Sequence, residues 1–205
     1  MKLRFGLILV LVVSMLAVGC SADDTAAETT TADKTAESAV EAVTLEEAIA
    51  DQPIVLTSAG QSADVKMIES LIKKTDMPYS IDTVLKSDNL GDAKTLIIAI
   101  GGSSKGLGAA GIDADDEIAR VAAVIEQARE NEMTIIGMHV GGEGRRGELS
   151  DKFVNATASE VDYLVYVESG NFDGLLSDIA AANSIPAESV ESIAGSFTAL
   201  QKAFK

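Results

Sequence analysis

The chain has 205 residues, with 16 Lys and Arg against 32 Asp and Glu and a formal net charge of -16. Acidity on this scale argues against partnership with nucleic acid or an anionic lipid surface, and a single cysteine excludes an internal disulfide. With no Trp, five Phe and three Tyr, any core has to be built from Ile, Val, Leu and Ala.

The chain opens MKLRFGLILVLVVSMLAVGC: Lys2 and Arg4, a charge-free apolar run over 5–18, then Gly19 and Cys20. That is the layout of a secretory signal, short for a transmembrane span. The stretch LAVGC, with Leu16 upstream of Gly19, resembles a bacterial lipobox. The resemblance implies cleavage of residues 1–19, lipid on Cys20 and an extracytoplasmic protein anchored to a bacterial membrane. Without residues 1–19 the chain carries 14 Lys and Arg against 32 Asp and Glu, a net charge of -18. Residues 20–52 concentrate that acidity. The segment SADDTAAETTTADKTAESAVEAV lacks aromatics and buries too little apolar surface to offset its chain entropy, so a disordered tether is expected. Residues 53–205 are the size of one domain with a full core.

Within that domain, strand-length apolar runs alternate with stretches of helical period. The runs are PIVLT (53–57), YSIDTVL (79–85), TLIIAI (95–100), MTIIGMHV (133–140) and YLVYVE (163–168). The first, third and fourth are nearly continuously apolar, as in parallel strands covered on both faces. YSIDTVL alternates, with Asp82 between Ile81 and Val84, and belongs nearer an edge. Between the runs, Val65, Ile68, Leu71 and Ile72 make one helical stripe, and Ile118, Val121, Ala122 and Ile125 another. Phe153, Val154, Thr157 and Ala158 make a weaker one. Leu175, Leu176 and Ile179 mark a further helix, and Pro186 starts a last one carrying Val190, Ile193, Ala194, Phe197 and Leu200. The alternation predicts an α/β three-layer sandwich on a mostly parallel five-stranded sheet in the flavodoxin-like order 2-1-3-4-5. The link KSDNLGDAK (86–94) is short for a helical crossover, which leaves an antiparallel second strand as the alternative.

In such sheets ligands bind beyond the carboxyl ends of the strands, near the point where strand order reverses. The loops expected there are SAGQS (58–62), GGSSKGLGAAG (101–111) and GGEGRRGE (141–148). All three combine glycine with hydroxyls, amides or cations, whereas the turns entering the strands are ordinary. Glycines let backbone N–H groups approach a ligand, and helix N-termini add partial positive charge. Lys105, Arg145 and Arg146 bring cations to an acidic chain, so an anionic ligand is the natural inference, the alternative being that Glu143 and Glu148 neutralise the arginines and the loop is structural. The amides near Gly60, Gly101, Gly102, Gly141 and Gly142 would hold its oxygens. Ser58, Gln61, Ser62, Ser103 and Ser104 would orient it, and His139 is either a donor to it or a satisfied structural histidine.

Other motifs point nowhere specific. GLGAAG begins five residues past the third strand, the wrong place for a dinucleotide fingerprint, and GGSSKG lacks the P-loop ending. Asp113 to Glu117, DADDE, caps the next helix more simply than it binds a cation. No cofactor and no metal are expected. AGQS resembles the nucleophile block of SGNH-type esterases such as sialate O-acetylesterases, which would make Ser62 a nucleophile. That family places a histidine near the C-terminus, and none follows His139 here. TSAGQS, GGSSKGLGAAG and HVGGEGRRGELSDKF together resemble an uncharacterised family of bacterial lipobox lipoproteins with an extracytoplasmic α/β domain, which implies location and domain type but no activity.

The leading expectation is therefore a membrane-anchored binding module for a small carboxylate or phosphate compound. An ester or phosphate hydrolase using the same loops, with Ser62 or His139 in the chemistry, and an accessory partner of a transporter are the alternatives.

Overall fold

The computed structural model describes residues 43–204; the expected signal, Cys20 and most of the acidic tether lie outside the described residues. Six strands, β1 (Ile54–Ala59), β2 (Tyr79–Ile81), β3 (Thr95–Ile100), β4 (Thr134–His139), β5 (Tyr163–Val167) and β6 (Ala187–Val190), form one sheet in the order β2-β1-β3-β4-β5-β6. Every pair is parallel. The expected order 2-1-3-4-5 is therefore present, extended by a sixth strand. Residues of β1, β3 and β5 are buried throughout, which is why their sequences are largely apolar, with Thr57, Ser58 and Thr95 as buried hydroxyls.

Both edges are short and partly polar. β2 pairs parallel with β1, Ile54 opposite Tyr79, so the antiparallel alternative is not adopted. Its return to β3 needs no α-helix. A single 3-10 turn, Ser87–Asn89, spans the gap while Leu85 and Leu90 plug the core beneath it. β6, AESV, was expected inside the last helix, since alanine and glutamate favour one. Pairing along β5 overrides that preference; Ala187 and Val190 are buried on opposite faces of the sheet, Glu188 is half-buried and Ser189 is exposed.

Helices cover both faces. α1 (Asp64–Ile72) and α6 (Gly195–Ala203) pack on one side, through Val65, Ile68, Leu71, Ile72, Ala199, Leu200 and Ala203. α2 (Ser104–Ala110) is a short helix inside the expected loop 101–111. It begins where Ser103 Oγ accepts from Gly106 N and ends at the left-handed Gly111. α3 (Ala114–Glu130), α4 (Glu148–Thr157) and α5 (Leu175–Ala182) cover the other face. Asp113 caps α3 by accepting from the amides of Asp115 and Asp116. The buried stripe of α3 differs from the expected one: Glu117, Val121, Val124, Ile125 and Ala128 face inward, and Ala122 points to solvent.

The packed chain starts earlier than residue 53. Leu45 and Ala50 are buried, Ala50 N donates to Ala203 O at 2.8 Å, and Ala187 N donates to Val43 O at 2.8 Å. Among the described residues no helix is long and apolar enough to cross a membrane.

Candidate functional site

The loop leaving β1 is bent hard against the loop leaving β3. Gly60 has φ +99, and a Cβ there would lie 2.5 Å from both Gly101 O and Phe153 Cδ2, so only glycine fits. Gly60 O accepts from Ser103 N at 2.8 Å, and Gln61 bridges Gly102. Gln61 itself has φ 57, uncommon for a residue with a side chain.

What holds this bend is a buried ion pair that sequence reading took for helix capping. The Glu117 side chain is 0% exposed, and it accepts from Gly60 N at 3.0 Å and Gln61 Nε2 at 2.9 Å. Arg120 donates to it through Nε at 2.8 Å and Nη2 at 2.9 Å, and reaches on to the carbonyls of Leu85 and Ser58. The Gln61 amide also donates to Thr83 O at 2.6 Å. One signal was available in the sequence: an acid in register with the apolar stripe 121, 124, 125 and 128, followed three residues on by arginine.

The β4 loop treats its two arginines differently. The Arg146 side chain is 2% exposed. Its Nε donates to Asp151 Oδ1 at 2.6 Å, Nη1 and Nη2 meet Asp173 Oδ1 and Oδ2 at 3.0 and 2.9 Å, and Nη1 also donates to Gly170 O. Its guanidinium lies 5.0 Å from the centroid of the Phe172 ring. The two carboxylates, Asp151 first, raise the Arg146 pKa further above its ordinary value. Arg146, expected beside a ligand, lines a cleft at the start of α4, while its guanidinium staples the first turn of α4 to residues 170–173. Arg145 is 40% exposed, and only its Nε has a partner, the wholly buried Asp64, at 3.3 Å. That contact is ionic without hydrogen-bond geometry, since both Asp64 oxygens lack a hydrogen bond.

His139 is fully buried at the end of β4. Its Nδ1 lies 3.0 Å from Ile100 O, so Nδ1 carries the proton and donates; Nε2 makes no hydrogen bond. Burial is the main cause of a pKa below the ordinary value, only partly opposed by the Ile100 carbonyl. A folded-state pKa below that of the unfolded chain means the unfolded chain binds the extra proton first. The contribution of His139 to stability is then constant above about pH 6.5 and falls as pH drops below it. Urea titrations at pH 7 and pH 5.5 should show the loss, with a slope of at most about 1.4 kcal/mol per pH unit, and His139→Gln should flatten that slope. An unchanged slope in the variant would assign the acid sensitivity elsewhere.

The expected site residues come together at one end of the sheet but divide between two hollows. Gly102, Ser104, Arg145 and Arg146 line a cleft of about 300 Å³ with the start of α4. Gln61 and Ser62 line a separate cleft of about 450 Å³ against Gly106, Ala109 and Ala110 of α2. Ser58 is buried in β1, and its hydroxyl has no partner. Gly101, Gly141 and Gly142 supply close-packed backbone: a Cβ on Gly101 would lie 3.3 Å from Ser62 Cβ, one on Gly141 2.5 Å from Asp64 Oδ2, and one on Gly142 2.6 Å from Ser169 Oγ. Ser103 is used as the cap of α2, and Lys105 is exposed on its first turn. Among the described residues no group of three or more His, Cys, Asp or Glu is placed to hold a metal ion.

Residues 51–204 match a domain of unknown function, DUF6305. The chain belongs to the DUF6305 family. No curated protein matches it. Among solved structures, this DUF6305 chain is similar to a GDSL-like lipase from Bacteroides thetaiotaomicron, at 14% identity over 66% of each chain with a TM-score of 0.32. It therefore spans just under two thirds of that lipase. It is also similar to the psychrotrophic esterase EstA from Pseudoalteromonas sp., at 8% identity over 68% of this chain and 78% of that one, TM-score 0.33. A third is the SGNH-hydrolase family esterase AlinE4, at 10% identity over 68% and 77%, TM-score 0.29.

The chemistry available to this DUF6305 domain follows from its own side chains. Ser62 is 2% exposed, and its Oγ accepts from Asp64 N at 3.2 Å. Among the described residues no histidine or carboxylate takes the Ser62 proton, as a hydrolytic serine requires. The smaller cleft is better furnished for binding. The α4 N-cap, Gly147, provides no side-chain cap, although its own N–H meets Asp151 Oδ1 at 3.4 Å, and the first-turn residues Glu148, Leu149 and Ser150 line the cleft. Arg145 stands at that helix end with both Nη atoms unpartnered among the described residues.

Proposed function

We propose that the domain captures a small anionic molecule, a carboxylate or phosphate compound, in the cleft between the β3 loop and the start of α4. The observation that carries the reading is the meeting, in one hollow, of a helix N-terminus whose N-cap is a glycine with a half-exposed arginine. Backbone amides and the helix dipole favour negative charge there. Asp64 engages only the Nε edge of Arg145, leaving the Nη edge for a paired contact with two ligand oxygens, and the Ser104 hydroxyl lines the same wall. Arg146 serves this site indirectly, by fixing the turn from which α4 starts. Anchorage through lipid on Cys20 and an extracytoplasmic location complete the proposal, resting on the lipobox-like sequence.

Thermal unfolding with inorganic phosphate and with succinate tests it. Saturation of a site that exists only in the native state adds about 2.7 kcal/mol at a hundred times Kd, so the melting temperature should climb with concentration. Because Arg145→Ala alone would strand the buried Asp64 charge, the informative variant is Asp64→Asn with Arg145→Ala, which removes both charges together. That double variant should melt normally and no longer respond to either anion. A wild-type melting temperature indifferent to both anions, or an undiminished response in the double variant, would overturn the assignment.

A further inference from the structure

His139 does not line the anion cleft, yet the backbone around its bare nitrogen holds both arginines that do. It is the only histidine of the chain and is wholly buried at the end of β4. With Nδ1 committed to Ile100 O, Nε2 is left without a hydrogen bond. A Cβ placed on Gly170 would lie 3.1 Å from His139 Nε2 and 3.3 Å from Gly142 Cα, so the nitrogen and the two glycines enclose one small space. Each glycine supplies a carbonyl to one arginine. Gly142 O accepts from Arg145 N at 3.0 Å, closing the 3-10 turn Glu143–Arg145 on which the half-exposed guanidinium stands. Gly170 O accepts from Arg146 Nη1.

A neutral imidazole carries no proton on Nε2, so the ring does not press on the two glycines. Protonation adds an N–H and a buried charge at that point, and an ion with neither water nor a partner is among the costliest groups to bury. Burial weighs most against the charged ring; of the ionised groups around it, Asp64 at the start of α1 favours protonation and Arg146 opposes it. From β5, Tyr166 stands opposite His139 and keeps its proton, because burial pushes its pKa up. From the 3-10 turn Glu168–Asn171, Glu168 is exposed to solvent. The Gly142 carbonyl also favours the charged ring, but turning it toward Nε2 takes it from Arg145 N.

We propose that His139 is a proton-operated release for the anion cleft: a proton on Nε2 displaces Gly142 and Gly170, loosens Arg145 and Arg146 together, and lets the bound anion leave as pH falls. The release rests on the anion-binding reading and gives it a sign. A positive charge that merely attracted the ligand would tighten binding in acid, whereas loss of both arginine supports weakens it.

Calorimetric titration of the full chain with sulfate, whose own charge is constant between pH 7 and pH 5.5, tests this. The wild-type Kd should rise about threefold or more over that interval, and by no more than about tenfold per pH unit, since a single proton drives the change. His139→Gln cannot take up the proton, so its Kd should not vary with pH there. NMR gives a readout that needs neither ligand nor variant: the amide signals of Gly142, Arg145 and Gly170 should move with the same midpoint as the single imidazole. Sulfate binding that is constant or tighter in acid, a variant with the pH dependence of the wild type, or amides that do not follow the imidazole would each overturn the release and leave the anion site standing. A chain that binds no sulfate at either pH would overturn both.

Discussion

Glu117→Ala should lower the free energy of unfolding by about 3–5 kcal/mol, the largest single effect expected among the buried charges. The glutamate side chain is 0% exposed and the arginine that answers it 14% exposed, so neither charge has water to fall back on. Truncation leaves the Arg120 guanidinium uncompensated and withdraws the acceptor from Gly60 N and the Gln61 amide at once. Unpaired buried donors add their own desolvation cost. For a domain of this size the loss corresponds to a fall in melting temperature of roughly 10 °C. Glu117→Gln keeps the shape and one acceptor but not the charge, and should cost visibly less. Urea denaturation of the three proteins reads all of this. An alanine variant within about 1 kcal/mol of the wild type would mean that the β1 loop holds its bend without the ion pair.

Arg146→Ala should cost about 2–4 kcal/mol, somewhat less because its partners are more exposed. Asp151 is 31% and Asp173 44% exposed, so water can take over part of what the guanidinium supplied. What water cannot replace is the fork that binds both Asp173 oxygens, Asp151 and Gly170 O together under the Phe172 ring. Arg146→Lys retains the charge but offers one point of contact, and should recover less than half of the loss. Hydrogen exchange gives the local readout. Amides of residues 168–173 and of the first turn of α4 should exchange faster in the alanine variant, while β1 and β3 keep their protection. Equal loosening everywhere would show that Arg146 stabilises the fold without stapling these two segments.

Much of the architecture was legible because it follows from local patterns. TLIIAI was expected as a strand over 95–100, and β3 has those bounds, since a continuous apolar run of that length is comfortable only in a sheet covered on both faces. Val65, Ile68, Leu71 and Ile72 announced α1, because a period of 3.6 puts them on one side. β6 went unread for the opposite reason: Ala-Glu-Ser-Val has a helical composition, and only the free edge of β5 makes it a strand. The short α2 was hidden by its glycines, which suggested a loop until the Ser103 cap and the left-handed Gly111 framed a helix between them.

The candidate site divides along the same line. Which loops gather at the carboxyl end of the sheet followed from strand and helix period, so the sequence alone sufficed to bring Gly60, Gly102, Ser104 and Arg145 to one region. The fate of each charge did not follow. Arg145 and Arg146 are neighbours in the chain and both line the cleft, but Arg146 turns extended after the 3-10 turn Glu143–Arg145, and the two guanidiniums part company: that of Arg145 is half-exposed, that of Arg146 enclosed by Asp151 and Asp173. Glu117 looked like one more acid of a capped helix start, and became the anchor of a loop 57 residues away. Backbone periodicity is set by residues within a turn or two of each other, so it can be read along the chain. The partner of a buried charge is chosen by three-dimensional proximity and by the need to leave no ion uncompensated, and that choice exists only once the sheet has closed around it.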